Sequence, residues 1–515
     1  MYVSTSTRKV VLNLSNPARV TTVVPTAKVF QYKGRDLVAV PHRQDEMRVL
    51  KNLGIAAPAP ILSYYDWPGR YKPFAAQRDT AQFLTMNPRS FCLNDMGTGK
   101  TISVLWAYDY LRSVGQVRKM LVVSPLSTLE TTWANEIFQH FPHLTAAVLH
   151  GSKDRRLRLL ASDDYDIYII NHHGLKTIND ELRDRKDIDV VVVDEGAAFR
   201  NASTILWKSL SKLAKDRPWV WWLTGTPTPN DARDAWAQCR IIAPERVPQY
   251  MSGWQALTMV QKGTYQWVER KEATQIVADA MQPSIRYSRD QCVDLPPCVY
   301  VDRQVSLSPT QDAAYKTMMS KLVADHADGQ ITAVNEAVKL QKLVQICCGV
   351  AYGADGNHIK IEAPERIALV KEIIEQSGSK VIIYVPFTGV LEYVAEELRK
   401  DYEVGVIAGS VSKSQRDEVF KAFQHGANMR VLVAQPAAMS HGLTLTAAST
   451  IIWYAPITSN ETKEQADARI TRPGQKHSQL IVHISGSSAE RRIYARVRNK
   501  QTGQGLLLEI LKGVS

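Results

Sequence analysis

Residues 91–101 read FCLNDMGTGKT and end in Gly-Thr-Gly-Lys-Thr. That ending matches the second half of the phosphate-binding pattern G-x-x-x-x-G-K-[ST], but Asn94 stands where the first glycine is expected. The residues that follow, ISVLWAYDYLRSV, space their apolar side chains as a helix does. A phosphate loop wraps phosphate oxygens with backbone N–H groups at such a helix N-terminus. Under this reading Gly97, Thr98 and Gly99 form the close-approach backbone. Lys100 reaches the β- and γ-phosphates, and Thr101 holds Mg²⁺. Asn94 can still serve if only its backbone is used. The competing reading is a glycine-rich turn before a helix, and the rest of the chain has to decide.

A phosphate loop needs an acidic group at the end of a neighbouring strand. VVVVDEGAAFRN (190–201) supplies one about 95 residues later: Asp194 as the partner of Mg²⁺ and Glu195 to polarise the attacking water. An apolar run ending in Asp-Glu can also be a plain strand cap, a reading that weakens once a phosphate loop precedes it.

The surrounding pattern supplies the fold class. MLVVSP, DIYIIN, DVVVVDE and VWWLTGT are short apolar runs ending in small or polar residues. Doubly buried parallel strands read this way, with their chemistry at the C-terminal ends. A second series begins near 380: KVIIYVP, EVGVIAG, RVLVAQ, TIIWYAP and QLIVHIS. The expectation is an α/β protein with two RecA-like parallel-sheet lobes, a helical middle and a small β-rich N-terminal domain. The boundaries expected are 1–70 for the N-terminal domain and 71–243 for the first lobe. The helical connection takes 244–375 and the second lobe, with a C-terminal helix, 376–515. In 1–70, RKVVLNL, RVTTVV and AKVFQYKGRDLVAV alternate like strands, with Lys33-Gly34 as a turn, and RQDEMRVLKNLG reads as a helix. Trp219, Trp221 and Trp222 read as core, and SKDRRLRLL (152–160) as a solvated helix face.

Composition narrows the class further. Hydrophobic content of 45% with 22% charged residues fits a soluble globular chain. The net charge of +12 favours a polyanionic partner, because phosphate neutralisation releases counterions. Six scattered cysteines lack the spacing of a disulfide framework or zinc site and fit a reducing cytoplasm. No apolar run approaches transmembrane length and no apolar signal core opens the chain, so no membrane partner is expected.

The motif order over roughly 73–510 resembles the superfamily 2 motors, specifically the SWI/SNF-like DNA translocases. PFAAQRDTAQFL looks like the adenine-reading segment, with Gln77 in the matching place. LVVSPLSTLETTWANEI is similar to the family's first DNA-contacting motif, and Trp133 falls on its tryptophan. DEGAAFRN resembles the Asp-Glu-Gly-His box with Ala197 in place of His, and LTGTPTPN is close to motif III. KVIIYVPFTGVLEYVAEELR, SHGLTLTAASTIIWYAP and QADARITRPGQ resemble motifs IV, V and VI, although AQPAAM lacks the usual glycine pair. Such an ordered set selects the phosphate loop over the turn.

The resemblance implies ATP bound by the first sheet and completed from the second. There Arg472 would be the arginine finger, Arg469 a phosphate or lobe-linking residue, and Gly442 a further nucleotide contact. It implies DNA contacts from Ser127, Asn171, Thr226, Thr388, Thr444 and Thr446, any of which could instead be a cap or turn residue. The function implied is an ATP-dependent translocase or helicase on double-stranded DNA. Its compact form is most like phage or bacterial enzymes that regress forks or migrate branches in recombination, repair or replication. The alternatives are an RNA helicase and a nucleotide-gated binding switch that does not travel. Residues 1–70 match none of the motifs and could hold a second DNA arm.

Overall fold

The alternating N-terminal stretches pair as an antiparallel sheet in the computed structural model, which describes residues 1–262, 267–292, 296–327, 333–352, 358–439, 445–472 and 475–499. The strands are β1 (Tyr2–Ser4), β2 (Lys9–Asn13), β3 (Lys28–Tyr32) and β4 (Arg35–Pro41), in spatial order β1-β2-β4-β3. Lys33 and Gly34, at φ 50° and 74°, make the expected two-residue turn between β3 and β4. One face buries Val10, Leu12, Val38 and Val40 over Val20, Met47 and Leu50.

The strand reading of RVTTVV is corrected: Ala18–Thr21 is a helical turn. Asn16 Oδ1 accepts the Ala18 N–H at 3.1 Å and Pro17 sits at φ −58°, so local capping overrides the β-branched composition. The helix Gln44–Asn52 then fastens the small sheet to the neighbouring layer. Its Gln44 donates to the Thr85 carbonyl, Lys51 bonds Asn87, and the Arg48 guanidinium lies 4.7 Å over the Trp219 ring.

The chain divides into two compact units, Met1–Cys292 and Val293–Gly505. The first contains β5 (Arg89–Cys92), β6 (Lys119–Ser124), β7 (Ala146–Val148), β8 (Ile167–Asn171), β9 (Ile188–Asp194) and β10 (Trp219–Leu223), of which β6, β8, β9 and β10 are the four apolar runs. An antiparallel pair, β11 (Met259–Gln261) and β12 (Trp267–Glu269), precedes the short β13 (Ser284–Ile285). The parallel sheet has the order β13-β5-β10-β9-β6-β8-β7. Helices cover both faces, which explains why the strands read as unbroken apolar runs. Trp219 and Trp221 pack on one face and Trp222 on the other, all in the core. The helix Lys153–Ala161 carries the basic stretch, and of its residues only Leu160 is fully buried.

The second unit contains β14 (Cys298–Gln304), an antiparallel pair β15 (Val350–Tyr352) and β16 (His358–Lys360), then β17 (Lys380–Tyr384), β18 (Val404–Ile407), β19 (Val431–Ala434), β20 (Ala448–Trp453) and β21 (Gln479–Ser485). Its parallel sheet runs β14-β21-β20-β17-β19-β18. The stretch between the two apolar series therefore gives one strand, β13 or β14, to each sheet, besides the helices Pro309–Ala327 and Ala333–Cys347. The molecule is α/β, with two parallel sheets and a small antiparallel N-terminal sheet. Among the described residues no helix is long and apolar enough to cross a membrane.

Candidate active site

The loop between β5 and the helix Lys100–Ser113 gives the Asn94 side chain a role of its own. The Asn94 side chain is buried: Nδ2 donates to Thr80 Oγ1 at 2.8 Å, and Oδ1 accepts the Tyr287 N–H at 2.8 Å. Its amide therefore staples the loop to the helix Ala75–Met86 and to the end of β13, and leaves the backbone to line the loop. Gly97 and Gly99 both sit at φ +83°, which only glycine adopts at low cost. A Cβ on Gly99 would also collide with the Gln77 amide. That amide accepts the Phe74 N–H at 3.1 Å and donates to the Thr98 carbonyl at 3.3 Å, so Gln77 lies directly on the loop. Lys100 Nζ donates to the carbonyls of Asn94 (3.0 Å) and Asp95 (3.2 Å). Thr98 is buried, its hydroxyl donating to Asp95 O at 2.8 Å, and Thr101 is half-buried in the first helical turn.

The acidic partner is fixed more firmly than its sequence context suggests. Asp194 ends β9 and is buried. Its Oδ2 accepts from Trp133 Nε1 (2.9 Å) and Ser124 Oγ (3.1 Å), and its Oδ1 accepts the Glu195 N–H (3.1 Å). The His172 ring donates Nε2–H to the Asp194 carbonyl at 2.9 Å, and burial lowers its pKa against the opposing pull of Asp194. Glu195 stands at φ 50° and ψ 51°, left-handed backbone that a non-glycine residue adopts only where its surroundings impose it. Burial pushes the Cys92 thiol up to about 11, with Lys100 and Arg286 pulling down and Asp194 pushing up. All three charges thus act on the same strand end. Asp194 and Thr101 each carry an oxygen donor, the ligand type that a hard ion such as Mg²⁺ takes.

Three features of this site escaped sequence reasoning. Trp133 matched a motif, but its hydrogen bond to Asp194 carries no local signal. Ser124 is an ordinary strand-end serine. Arg286, nearly two hundred residues after the loop, donates to Asp95 Oδ1 at 2.6 Å and to the Leu93 carbonyl at 2.9 Å, and the Arg289 N–H donates to Asp95 Oδ2 at 2.9 Å. The segment after β13 is therefore a brace for the loop that leads into Lys100.

The remaining candidates are divided between the two units. Ser127 is exposed, three residues beyond Ser124. Asn171 and Thr226 are buried, at 9% and 2% exposure, so their side chains do not present a free surface here. Thr388 opens the helix Thr388–Leu398, is exposed and accepts from Gln435 Nε2 at 3.0 Å. Thr446 accepts from Gln424 Nε2 at 3.2 Å. Arg469 is buried at 1% exposure, whereas Arg472 is half-buried, with Nε donating to the Ala468 carbonyl at 3.3 Å. Gly442 and Thr444 lie outside the described residues.

Comparison with known proteins places the chain in a family. Residues 84–349 match the SNF2-related domain, and residues 365–474 match the helicase conserved C-terminal domain. The chain is 25% identical over 442 residues to the ISWI chromatin-remodeling complex ATPase CHR11 of Arabidopsis thaliana, across 81% of this chain and 40% of that protein. It is 24% identical over 443 residues to the putative protein p41 of Acyrthosiphon pisum secondary endosymbiont phage 1, across 81% of this chain and 94% of that protein. Among solved structures it is similar to the Sulfolobus solfataricus SWI2/SNF2 ATPase core in complex with dsDNA. There the identity is 21% and the TM-score 0.42, over 86% of this chain and 94% of that one. The chain thus spans about two-fifths of the ISWI relative. The match to the SNF2-related domain alone takes in more than half of the 515 residues, and the phosphate loop and acidic strand end both lie within it: the chain belongs to the SNF2-related family of helicase-type ATPases.

Proposed function

We propose that this protein is a DNA-dependent ATPase that translocates on duplex DNA and acts on branched DNA, in fork regression or branch migration. The observation that carries the ATPase reading is Asp194, a buried carboxylate with three donors at the end of β9, in the same parallel sheet as β5, the strand that leads into the loop before Lys100. Gln77 keeps one N–H and one lone pair beyond its two bonds, enough to pair with an adenine edge. Lys100 exchanges its two carbonyl contacts for phosphate oxygens. Thr101 and Asp194 would hold Mg²⁺, which when bound neutralises charge across the phosphates. Glu195 orients and polarises the attacking water, and Arg472 supplies positive charge to the transition state. Arg469, fully buried, is assigned to linking and support.

Support for DNA as the track comes from family membership, the net charge of +12, and the candidate phosphate contacts Ser127 and Thr388, both on the surface. A similar phage protein, 94% of whose length the match covers, supports a compact phage-type enzyme, and the role on branched DNA is the proposal's own. The test is ATP hydrolysis by the full chain with single-stranded, duplex, forked and four-way DNA and with RNA, alongside displacement of a triplex-forming strand. The reading expects the strongest stimulation from branched DNA and displacement that requires hydrolysis. Stimulation by RNA alone would refute it, and hydrolysis without displacement would make the protein a gated switch.

A further inference from the structure

The N-terminal sheet uses only one of its faces for the core. The register pairs Tyr2 with Val11, Lys9 with Pro41, Lys28 with Ala39, Phe30 with Leu37 and Tyr32 with Arg35, which puts all of these on the opposite face. Tyr2, Phe30 and Tyr32 are 67%, 39% and 56% exposed, and the Lys33 ammonium lies 5.4 Å over the Tyr32 ring. Lys9, Lys28 and Arg35 are exposed among them. The one carboxylate in the four strands, Asp36, pairs with Gln31 on the other face. The surface is therefore aromatic and cationic, without an acidic residue in its strands.

We infer that this face binds single-stranded DNA, with bases stacked on Phe30 and Tyr32 and phosphates held by Lys28 and Arg35. Phe30 and Tyr32 stand two residues apart on the edge strand β3, roughly 6.6 Å along it. Rings at that spacing on an open sheet take unpaired bases, whose faces are free, whereas the bases of a duplex are already stacked on each other. Phosphate is the complement of three cations with no carboxylate among them, and a protein partner would have to bring a strongly acidic surface. The inference deepens the branched-DNA reading, on which it rests for its role: a fork or an opened junction offers a single strand beside the duplex on which the motor acts.

The test measures binding of a labelled oligo-dT and of a blunt duplex to the full chain without nucleotide. The proteins compared are the wild type, the Phe30→Thr/Tyr32→Thr double variant and the Lys28→Gln/Arg35→Gln double variant. Threonine keeps strand propensity at exposed edge positions, and an unchanged thermal midpoint confirms the fold. The aromatic variant should lose at least about tenfold in oligo-dT affinity, with duplex affinity and duplex-stimulated ATPase near wild type. The basic variant should reduce the slope of log affinity against log salt by about 1.4 for oligo-dT. Oligo-dT affinity unchanged in both variants, or an equal loss for single strand and duplex, overturns the inference. Absence of any duplex stimulation in the wild type would instead sink the translocase reading and leave the single-strand result to stand by itself.

Discussion

Replacing Trp133 by phenylalanine removes one hydrogen-bond donor from the carboxylate proposed to hold Mg²⁺, Asp194, and leaves a ring in its place. Trp133 is fully buried, and its Nε1–H reaches Asp194 Oδ2 at 2.9 Å. It stands on the π-helical turn Leu129–Ala134, which follows the exposed Ser127. After the substitution Oδ2 keeps only the Ser124 hydroxyl at 3.1 Å, and Oδ1 keeps the Glu195 N–H. A hydrogen bond to a charged group contributes about 1.5–3 kcal/mol. Donors that orient a metal-ligating side chain typically set about 10–100-fold in metal affinity. The expected result is a rise of about that factor in the Mg²⁺ concentration that half-saturates nucleotide binding, while metal-free nucleotide binding changes little. Mn²⁺ binding followed by electron paramagnetic resonance checks the same quantity without turnover. Ser124→Ala, which loses the longer bond alone, should shift it less. A Trp133→Phe protein with native stability and the wild-type metal requirement would refute the argument that this indole positions Asp194.

Arg472→Ala should lower turnover by about a thousandfold while ATP affinity stays within a few-fold, read by single-turnover hydrolysis and nucleotide titration; an equal loss of ATP binding would make it a ground-state ligand. In the second unit Arg366 and Glu490, 1% and 0% exposed, pair at 2.8 Å, and Glu490 also accepts the Gly486 N–H. Glu490→Gln strands the buried guanidinium and should cost about 3–5 kcal/mol in urea unfolding, and a loss below about 1 kcal/mol would contradict the pairing. Burial, with the Lys463 ammonium, brings the His483 imidazole down from 6.5 to about 4. The folded ring stays neutral where the unfolded one takes a proton, so stability is full above pH 6.5, falls as pH drops, and is about 2 kcal/mol lower by pH 5. Urea midpoints against pH should show this slope in the wild type and lose it in His483→Asn.

What the sequence carried were patterns that are local. Gly-Thr-Gly-Lys-Thr before a helical period, and apolar runs ending in polar residues, are set by backbone geometry within a few residues. β6, β8, β9, β10 and the strands of the second sheet from β17 onward were legible for that reason. β13 was not, because Ser284–Ile285 is two residues long and becomes a strand only by pairing with Phe91 and Cys92. β14 was hidden differently: Tyr300 and Val299 are exposed, so its composition lacks the buried-strand signal. Arg19–Val24 misled because β-branched residues fill a helical turn started by Asn16 and Pro17. The supports of the site were invisible in principle. Trp133 meets Asp194 across 61 residues and Arg286 meets Asp95 across 191, and only the parallel sheet brings them together.

The most direct test of the central claim is steady-state ATP hydrolysis by the full chain, with and without saturating duplex DNA, for the wild type and Glu195→Gln. The account predicts that duplex DNA stimulates the wild type. It also predicts that Glu195→Gln binds ATP normally, does not turn it over, and stays on DNA when ATP is present. A wild-type rate indifferent to DNA, or near-normal turnover by Glu195→Gln, would contradict it.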